Sequence, residues 1–229
     1  MTDDGCVVAV LSGLITGKRL DRIEEALAQR MRYFTVVLED IYQSQNASAV
    51  LRTCECFGVQ DIHIIENYNP YNINPMVVKG SDKWLTIRRY SQSENNSTEA
   101  ISRLKAEGYR IVVTSLTEKS VDLKDFDVER GKFAIVFGNE HQGVSESMLK
   151  QADECLKIPM CGFTQSLNIS VSAGIIISQL TQKIKNSIEN WQLTKSEKTA
   201  LRVEWLKNSV KNPEMLIDYL AENSEQFFF

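Results

Sequence analysis

Ile158-Pro159-Met160-Cys161-Gly162-Phe163-Thr164-Gln165-Ser166-Leu167-Asn168, continuing Ile169-Ser170-Val171-Ser172-Ala173-Gly174-Ile175-Ile176-Ile177-Ser178-Gln179-Leu180, is the stretch that decides the fold. It opens on an apolar strand end and a proline. It passes through a polar turn, Gln165 to Asn168, and continues as a helix of small and β-branched residues. A polar turn between two apolar segments marks a rigid strand-to-helix junction. The unpaired N–H groups at such a helix start suit anionic or polar ligand atoms. The same turn also reads as an ordinary N-cap made by Ser166 or Asn168. The stretch alone leaves both readings open.

Working outward, strand-like and helix-like segments alternate. Phe34–Leu38 is a β-branched run of strand length. Asn46–Phe57 has helical spacing through Ala49, Val50, Thr53 and Phe57, and Gly58 ends it. Glu39–Gln45 reads as a polar loop between them. Further strands are expected at Ile62–Ile65, Thr86–Tyr90, Tyr109–Leu116 and Phe133–Phe137. Helices are expected at Thr98–Glu107, stopped by Gly108, and at Glu146–Ala152, capped by Ser145. This β-α-β order predicts an α/β fold with a parallel sheet and crossover helices. Residues 67–84 read as a loop, either a surface loop anchored by a buried Trp84 or a functional loop whose Lys79 and Lys83 grip a polyanionic ligand. Residues 121–131 read as connection.

The ends differ in character. A loose acidic start leads into an amphipathic helix, Lys18–Met31, with Leu20, Ile23, Leu27 and Met31 on one face. Arg19, Arg22, Arg30 and Arg32 decorate it. The charged tail opens with a Thr194/Glu197 capping box. Leu201, Trp205 and Val210 form a weak stripe there. Met215, Leu216, Tyr219 and Leu220 mark a short helix after Pro213. The terminal Phe227–Phe229 either docks on a partner or stays disordered. The division expected is 1–32, a helical extension; 33–190, the main domain; and 191–229, a second helical extension.

Composition excludes several classes. Of 229 residues, 43% are apolar and 24% charged, as in ordinary globular proteins. The apolar run near Ile175–Ile177 is too short to span a bilayer, and the first residues lack a secretory leader. Cys6, Cys54, Cys56, Cys155 and Cys161 show no Cys-x-x-Cys spacing, which fits free thiols in a reducing cytosol. The expected location is therefore cytoplasmic, with no membrane partner. With two histidines and no carboxylate or His/Cys cluster at ligand spacing, no metal is expected. The net charge of −4 means that RNA binding would need a local basic face.

Two more segments give the opening stretch its meaning: Gln45-Asn46-Ala47-Ser48-Ala49-Val50-Leu51-Arg52-Thr53-Cys54 and Ile135-Val136-Phe137-Gly138-Asn139-Glu140-His141-Gln142-Gly143-Val144-Ser145. Together, and in this order, the three resemble the motifs of the SpoU-type (TrmH-like) RNA ribose 2′-O-methyltransferases of the SPOUT superfamily. The resemblance spans roughly residues 33–187. It implies a trefoil knot near the C-terminal third, a homodimer and S-adenosyl-L-methionine as donor. Adenine is read by backbone groups in this superfamily, which points to Ser115, Leu116, Gly138, Ile158, Met160 and Leu167 at strand ends as the donor pocket. The lack of Gly-x-Gly-x-x-Gly argues against a Rossmann site.

The resemblance also implies the catalytic set Arg52, Asn46, Glu140, Ser166 and Asn168. The family proposal makes Arg52 a general base. A guanidinium rarely gives up its proton, so binding phosphate and stabilising the developing alkoxide is the simpler role. Glu140 is expected to order Arg52 or the third motif, and Ser166 and Asn168 to bind the arginine or an RNA phosphate. His141 is given no role. A basic N-terminal helix and charged C-terminal helices flanking the domain look like the branch that methylates a guanosine ribose in the tRNA D-loop. Another tRNA position, rRNA, or a catalytically silent RNA-binding protein remain as alternatives.

Overall fold

The computed structural model describes residues 4–222. Phe227–Phe229 and the side chains of Cys6, Tyr219 and Leu220 lie outside the described residues, and so do the expectations made for them. In chain order the elements begin α1 (Asp4–Gly13), α2 (Gly17–Ala28), β1 (Phe34–Glu39), α3 (Ser44–Phe57), β2 (Asp61–Ile65), α4 (Pro75–Val78), β3 (Thr86–Tyr90) and α5 (Asn96–Ala106). They continue β4 (Arg110–Thr114), β5 (Val121–Asp122), β6 (Phe133–Phe137), α6 (Glu146–Gln151), β7 (Glu154–Lys157), α7 (Ile169–Ser187), α8 (Lys195–Lys207) and α9 (Pro213–Glu222). The chain divides into two compact units, one running from Met31 to Trp191 and the other made of the segments before and after it.

The central unit is an α/β fold on a seven-stranded parallel sheet, ordered β3-β2-β1-β6-β4-β7-β5. β1 and β6 lie side by side at its middle, and every residue of both is buried. Side chains alternate between faces along a strand. On β1, Val36 and Leu38 enter the cluster beneath α3 and α7, with Val50, Leu51, Ile176 and Leu180. Val37 enters the opposite cluster, with Ala100, Ile101 and Leu104 of α5. A parallel sheet covered on both faces explains why these strands read as unbroken apolar runs. Gly58, at φ 80°, closes α3 in the left-handed conformation that glycine adopts without strain.

Several expectations need correction here. Val121–Asp122, taken as connection, forms the edge strand β5 on β7. Two residues carry no readable periodicity, so only the sheet reveals them. The 67–84 loop contains α4 and a 3₁₀ turn, Ser81–Trp84. Trp84 is half-buried, and the buried anchor is its neighbour Leu85. α5 starts at Asn96, capped by Asn95. α7 runs past Leu180 to Ser187, because Thr181 and Ile184 continue its buried face.

In the second unit, α1 replaces the expected loose start. Val7 and Leu11, one turn apart, bury together, and α1 and α2 both pack on α8. Ile23, Leu27, Leu201, Trp205 and Leu206 complete that core. Arg30, expected among the arginines that decorate the helix surface, is buried, with its guanidinium carbon 4.9 Å from the Trp205 ring centroid. Arg202 forms a two-pronged pair with Glu24, at 2.5 and 2.6 Å. Val210 lies past the end of α8 and is half-buried. α2 stops at Ala28, so Met31 and Arg32 fall to the central unit. There Arg32 Nε donates to Asp61 at 2.9 Å.

His63 on β2 gives the fold a pH dependence. Its ring is buried, stacked on Tyr90, with Nδ1 2.8 Å from the tyrosine hydroxyl. Burial first, and Arg88 second, push its pKa down to about 4, with Arg103 adding to the fall and Glu107 opposing it. An unfolded histidine takes its proton near pH ~6.5. Below that pH the unfolded chain binds a proton that the folded chain resists, so stability is full above it and falls until about pH 4. The expected loss from this group is on the order of 3 kcal/mol. Urea unfolding of wild type and His63→Asn at pH 7 and pH 4.5 reads it out. The wild type should lose more stability than the variant, and parallel losses would contradict the assignment.

Candidate active site

Loops leaving the carboxyl ends of β1, β4, β6 and β7 surround a cleft of about 630 Å³. That volume suits a small organic ligand, and strand ends are where open α/β sheets bind one. The construction starts at Gly138, the first residue after β6. A Cβ there would lie 2.2 Å from Gly143 C and from Val144 N. Only glycine allows the loop to fold back this closely. The turn is locked by Asn139 N donating to Gly143 O at 2.8 Å and Gly143 N donating to Asn139 O at 2.9 Å. Asn139 Oδ1 accepts from His141 N and Gln142 N, and its Nδ2 donates to Asp40 O at 2.7 Å.

This turn aims Glu140 at the start of α3. Its Oε2 accepts from Tyr42 N at 2.9 Å. Its Oε1 accepts from Gln43 N at 3.1 Å and Asn46 Nδ2 at 2.8 Å. Burial alone would raise the pKa of Glu140, but the donors from Asn46, Tyr42 and Gln43 outweigh it and hold the carboxyl below its ordinary value. Asn46 Oδ1 in turn accepts from Asn168 Nδ2 at 3.2 Å. Asn168 Oδ1 caps α7 by accepting from Ser170 N at 2.9 Å and Ser170 Oγ at 2.6 Å. A continuous chain, Glu140–Asn46–Asn168, therefore joins one residue from each of the three motifs. The open choice of cap falls to Asn168. Ser166 lines the cleft beside it, with its hydroxyl unbonded among the described residues.

The six residues expected to hold a donor also meet here: Ser115, Leu116, Gly138, Ile158, Met160 and Leu167 all line the cleft. Ser115 N donates to Leu156 O at 3.0 Å, carrying the β4–β7 pairing one residue past β4. Leu116, Met160 and Leu167 are exposed apolar walls.

Arg52 is the exception. It lies outside the lining and is exposed, with no hydrogen bond or ion pair among the described residues. Six residues of α-helix make about 1.7 turns. Arg52 thus points about a third of a turn around α3 from Asn46. It shares the exposed face with Gln45 and Cys56. The expected Glu140–Arg52 contact is absent, because Asn46 and two backbone N–H groups already occupy that carboxylate.

Glu39 and Asp40 were missed as site builders. Glu39 is buried and accepts from Ser97 Oγ at 2.5 Å, Ser145 Oγ at 2.8 Å and Ser145 N at 2.9 Å. Asp40, at φ 52°, gathers three successive N–H groups on Oδ1: Asn67 at 2.7, Tyr68 at 2.8 and Asn69 at 3.3 Å. Together they tie the loops after β1, β2 and β6. The signal was present: two acids ending a buried strand must find donors there.

Residues 33–178 match the SpoU rRNA Methylase family. A tRNA (guanosine(18)-2′-O)-methyltransferase of Borreliella burgdorferi is 44% identical over 205 residues, covering 90% of this chain and 92% of that protein. The protein of the same description from Escherichia coli K12 is 30% identical over 190 residues, 81% of each chain. The crystal structure of the A. aeolicus TrmH/SpoU tRNA modifying enzyme superposes with a TM-score of 0.74 at 31% identity, over 88% of this chain and 98% of the other.

Proposed function

The chain belongs to the SpoU rRNA methylase family, and from that membership we propose how its cleft works. It is an RNA ribose 2′-O-methyltransferase acting on tRNA, and its target is the 2′-hydroxyl of guanosine 18. The observation that carries the reading is the Glu140–Asn46–Asn168 chain, which draws three distant motifs into one cleft.

S-adenosyl-L-methionine, when bound, supplies an electrophilic methyl group. The cleft fits it on chemical grounds: Leu116, Ile158, Met160 and Leu167 offer apolar walls, and the small Ser115 and Gly138 leave room between them. Asn46, Glu140 and Asn168 hold the α3 and α7 starts in register, so the nucleotide meets a preorganised surface. Ser166 offers its unbonded hydroxyl to an RNA phosphate. Arg52, on the exposed face of α3, would meet the phosphate as a permanent cation and stabilise the developing alkoxide, whose proton would pass to solvent water. The reaction is expected to need no metal ion, and chelator should leave it unchanged once the folding of the tRNA is controlled for.

The protein works as a homodimer. Ile176 and Ile177 of α7 are buried inside the central unit and offer no surface for a second copy. Leu116, Phe163, Leu167 and Val171 instead expose apolar surface around the cleft, and a second copy would cover it. The C-terminal third follows a trefoil knot. In support, β7 lies beyond β4 in the sheet while α7 returns to pack against α3.

Outside the central unit, the tail serves tRNA. Its deletion would strip α1 and α2 of their packing partner, so charge reversal is the cleaner probe. Arg202 and Lys207 are paired with Glu24 and Glu214. Lys195 and Lys198 have no such pair among the described residues. Lys195→Glu with Lys198→Glu should weaken tRNA binding about 3- to 10-fold at low salt and flatten its salt dependence. Donor affinity should not change; loss of both affinities would contradict the role.

Transfer of labelled methyl from S-adenosyl-L-methionine to purified tRNA, with rRNA in parallel, tests the reading. Label in tRNA is expected, and label in rRNA alone would overturn the substrate.

A further inference from the structure

Two exposed rings at the rim of the cleft have no part in the chemistry above. Tyr42 is 65% exposed, and His141, which lines the cleft, is exposed beside it. Their centroids are 6.0 Å apart with planes at 61°, an edge-type contact in which the rings are not stacked, so at least one face of each stays open. Neither side chain has a hydrogen bond among the described residues. Their backbones, by contrast, are fixed by the site itself. Tyr42 N donates to Glu140 Oε2, and His141 N donates to Asn139 Oδ1. An exposed aromatic side chain on a rigid backbone, with an open face, loses little freedom when a flat partner lands on it.

The position indicates what that partner is. A ribose brought within reach of Asn46 and Glu140 carries a base one glycosidic bond away. Proteins that act on single nucleotides of a folded RNA receive unstacked bases on aromatic faces. We propose that Tyr42 and His141 form the stacking bracket for the base of the nucleotide whose ribose is methylated, Tyr42 supplying the main face. Stacking tolerates any base, so the bracket adds affinity and orientation. This inference rests on the RNA-methyltransferase reading above.

The test is a binding cycle, read by filter retention in the presence of S-adenosylhomocysteine, which needs no turnover. The partners are wild type and Tyr42→Ala, each with intact tRNA and with the same tRNA lacking only the target base. Wild type should lose affinity for the abasic RNA by about 5-fold or more, the range of one base–aromatic stack. Tyr42→Ala should lose a similar factor on intact tRNA and almost nothing further on abasic RNA. His141→Ala should give a smaller loss. Tyr42→Phe, which keeps the ring, should recover most of the affinity, and donor binding and melting temperature should stay level throughout. Independent losses from ring and base would overturn the bracket, as would Tyr42→Phe falling as far as Tyr42→Ala. Failure of wild type to methylate tRNA would count against the parent reading, while the binding cycle would still decide the bracket.

Discussion

Arg52→Ala is expected to lower kcat for methyl transfer by at least about 100-fold, the usual cost of removing one electrostatic stabiliser. Stability should be unaffected, since Arg52 is exposed and makes no contact that folding requires. The split follows from the structure. Asn46, Glu140 and Asn168 satisfy one another, so the cleft does not need Arg52 to keep its shape. A charge that folding leaves unused is available for a phosphate and a nascent alkoxide. Arg52→Lys keeps the charge but loses the planar fork, and it should retain measurable turnover. Steady-state kinetics with donor and tRNA affinities measured alongside would check this. A lysine variant as inactive as alanine, with both affinities intact, would contradict the electrostatic role and favour proton abstraction.

Gly138→Ala should be equally severe for a different reason. The new methyl would sit 2.2 Å from two backbone atoms of the Gly143–Val144 segment, and backbone cannot step aside as a side-chain tip can. The 139–143 turn would have to open, breaking its two hydrogen bonds and carrying Glu140 away from the α3 start. Overpacking of this kind costs about 1–3 kcal/mol or more. Here that cost falls on the donor wall. Thermal melting with and without S-adenosyl-L-methionine measures it. Wild type should melt higher as donor is added, because a ligand that binds only the folded state stabilises it. The alanine variant should show almost no rise and at least ~100-fold less transfer. A normal donor-dependent rise would show that the cleft beside Gly138 is not the donor's.

The sheet was legible wherever burial on both faces left an unbroken apolar run. Phe133–Phe137 is such a run and was read to the residue. Thr86–Tyr90 was also read to the residue, although Arg88 and Arg89 interrupt it and only Tyr90 is buried. What failed was what depends on neighbours distant in sequence. The two residues of β5 are a strand only because β7 lies beside them. Arg30 reads as a solvated charge on any helical wheel, yet Trp205 covers it. α1 was missed because Asp4–Gly13 is apolar nearly all round, so no polar face marked it as a helix. In the site, ten of the eleven expected residues meet in one cleft, eight of them from the three motifs and Ser115 and Leu116 from just past the end of β4. Arg52 stands apart from the cleft lining because six residues of helix turn it to another side of α3 than Asn46. Glu39 and Asp40 went unread because a loop start and a buried carboxylate hub look alike until the loops that donate to them are known.

The central claim is that this cleft methylates a ribose oxygen, and the product's chemistry tests it directly. Alkaline cleavage of RNA requires the 2′-oxygen to attack the adjacent phosphate, so a 2′-O-methyl group protects one phosphodiester bond. tRNA treated with the protein and labelled S-adenosyl-L-methionine, then hydrolysed in alkali and mapped, should carry its label in one resistant dinucleotide containing guanosine 18. Label on a nucleobase, released in ordinary mononucleotides, would contradict the account, as would no label at all.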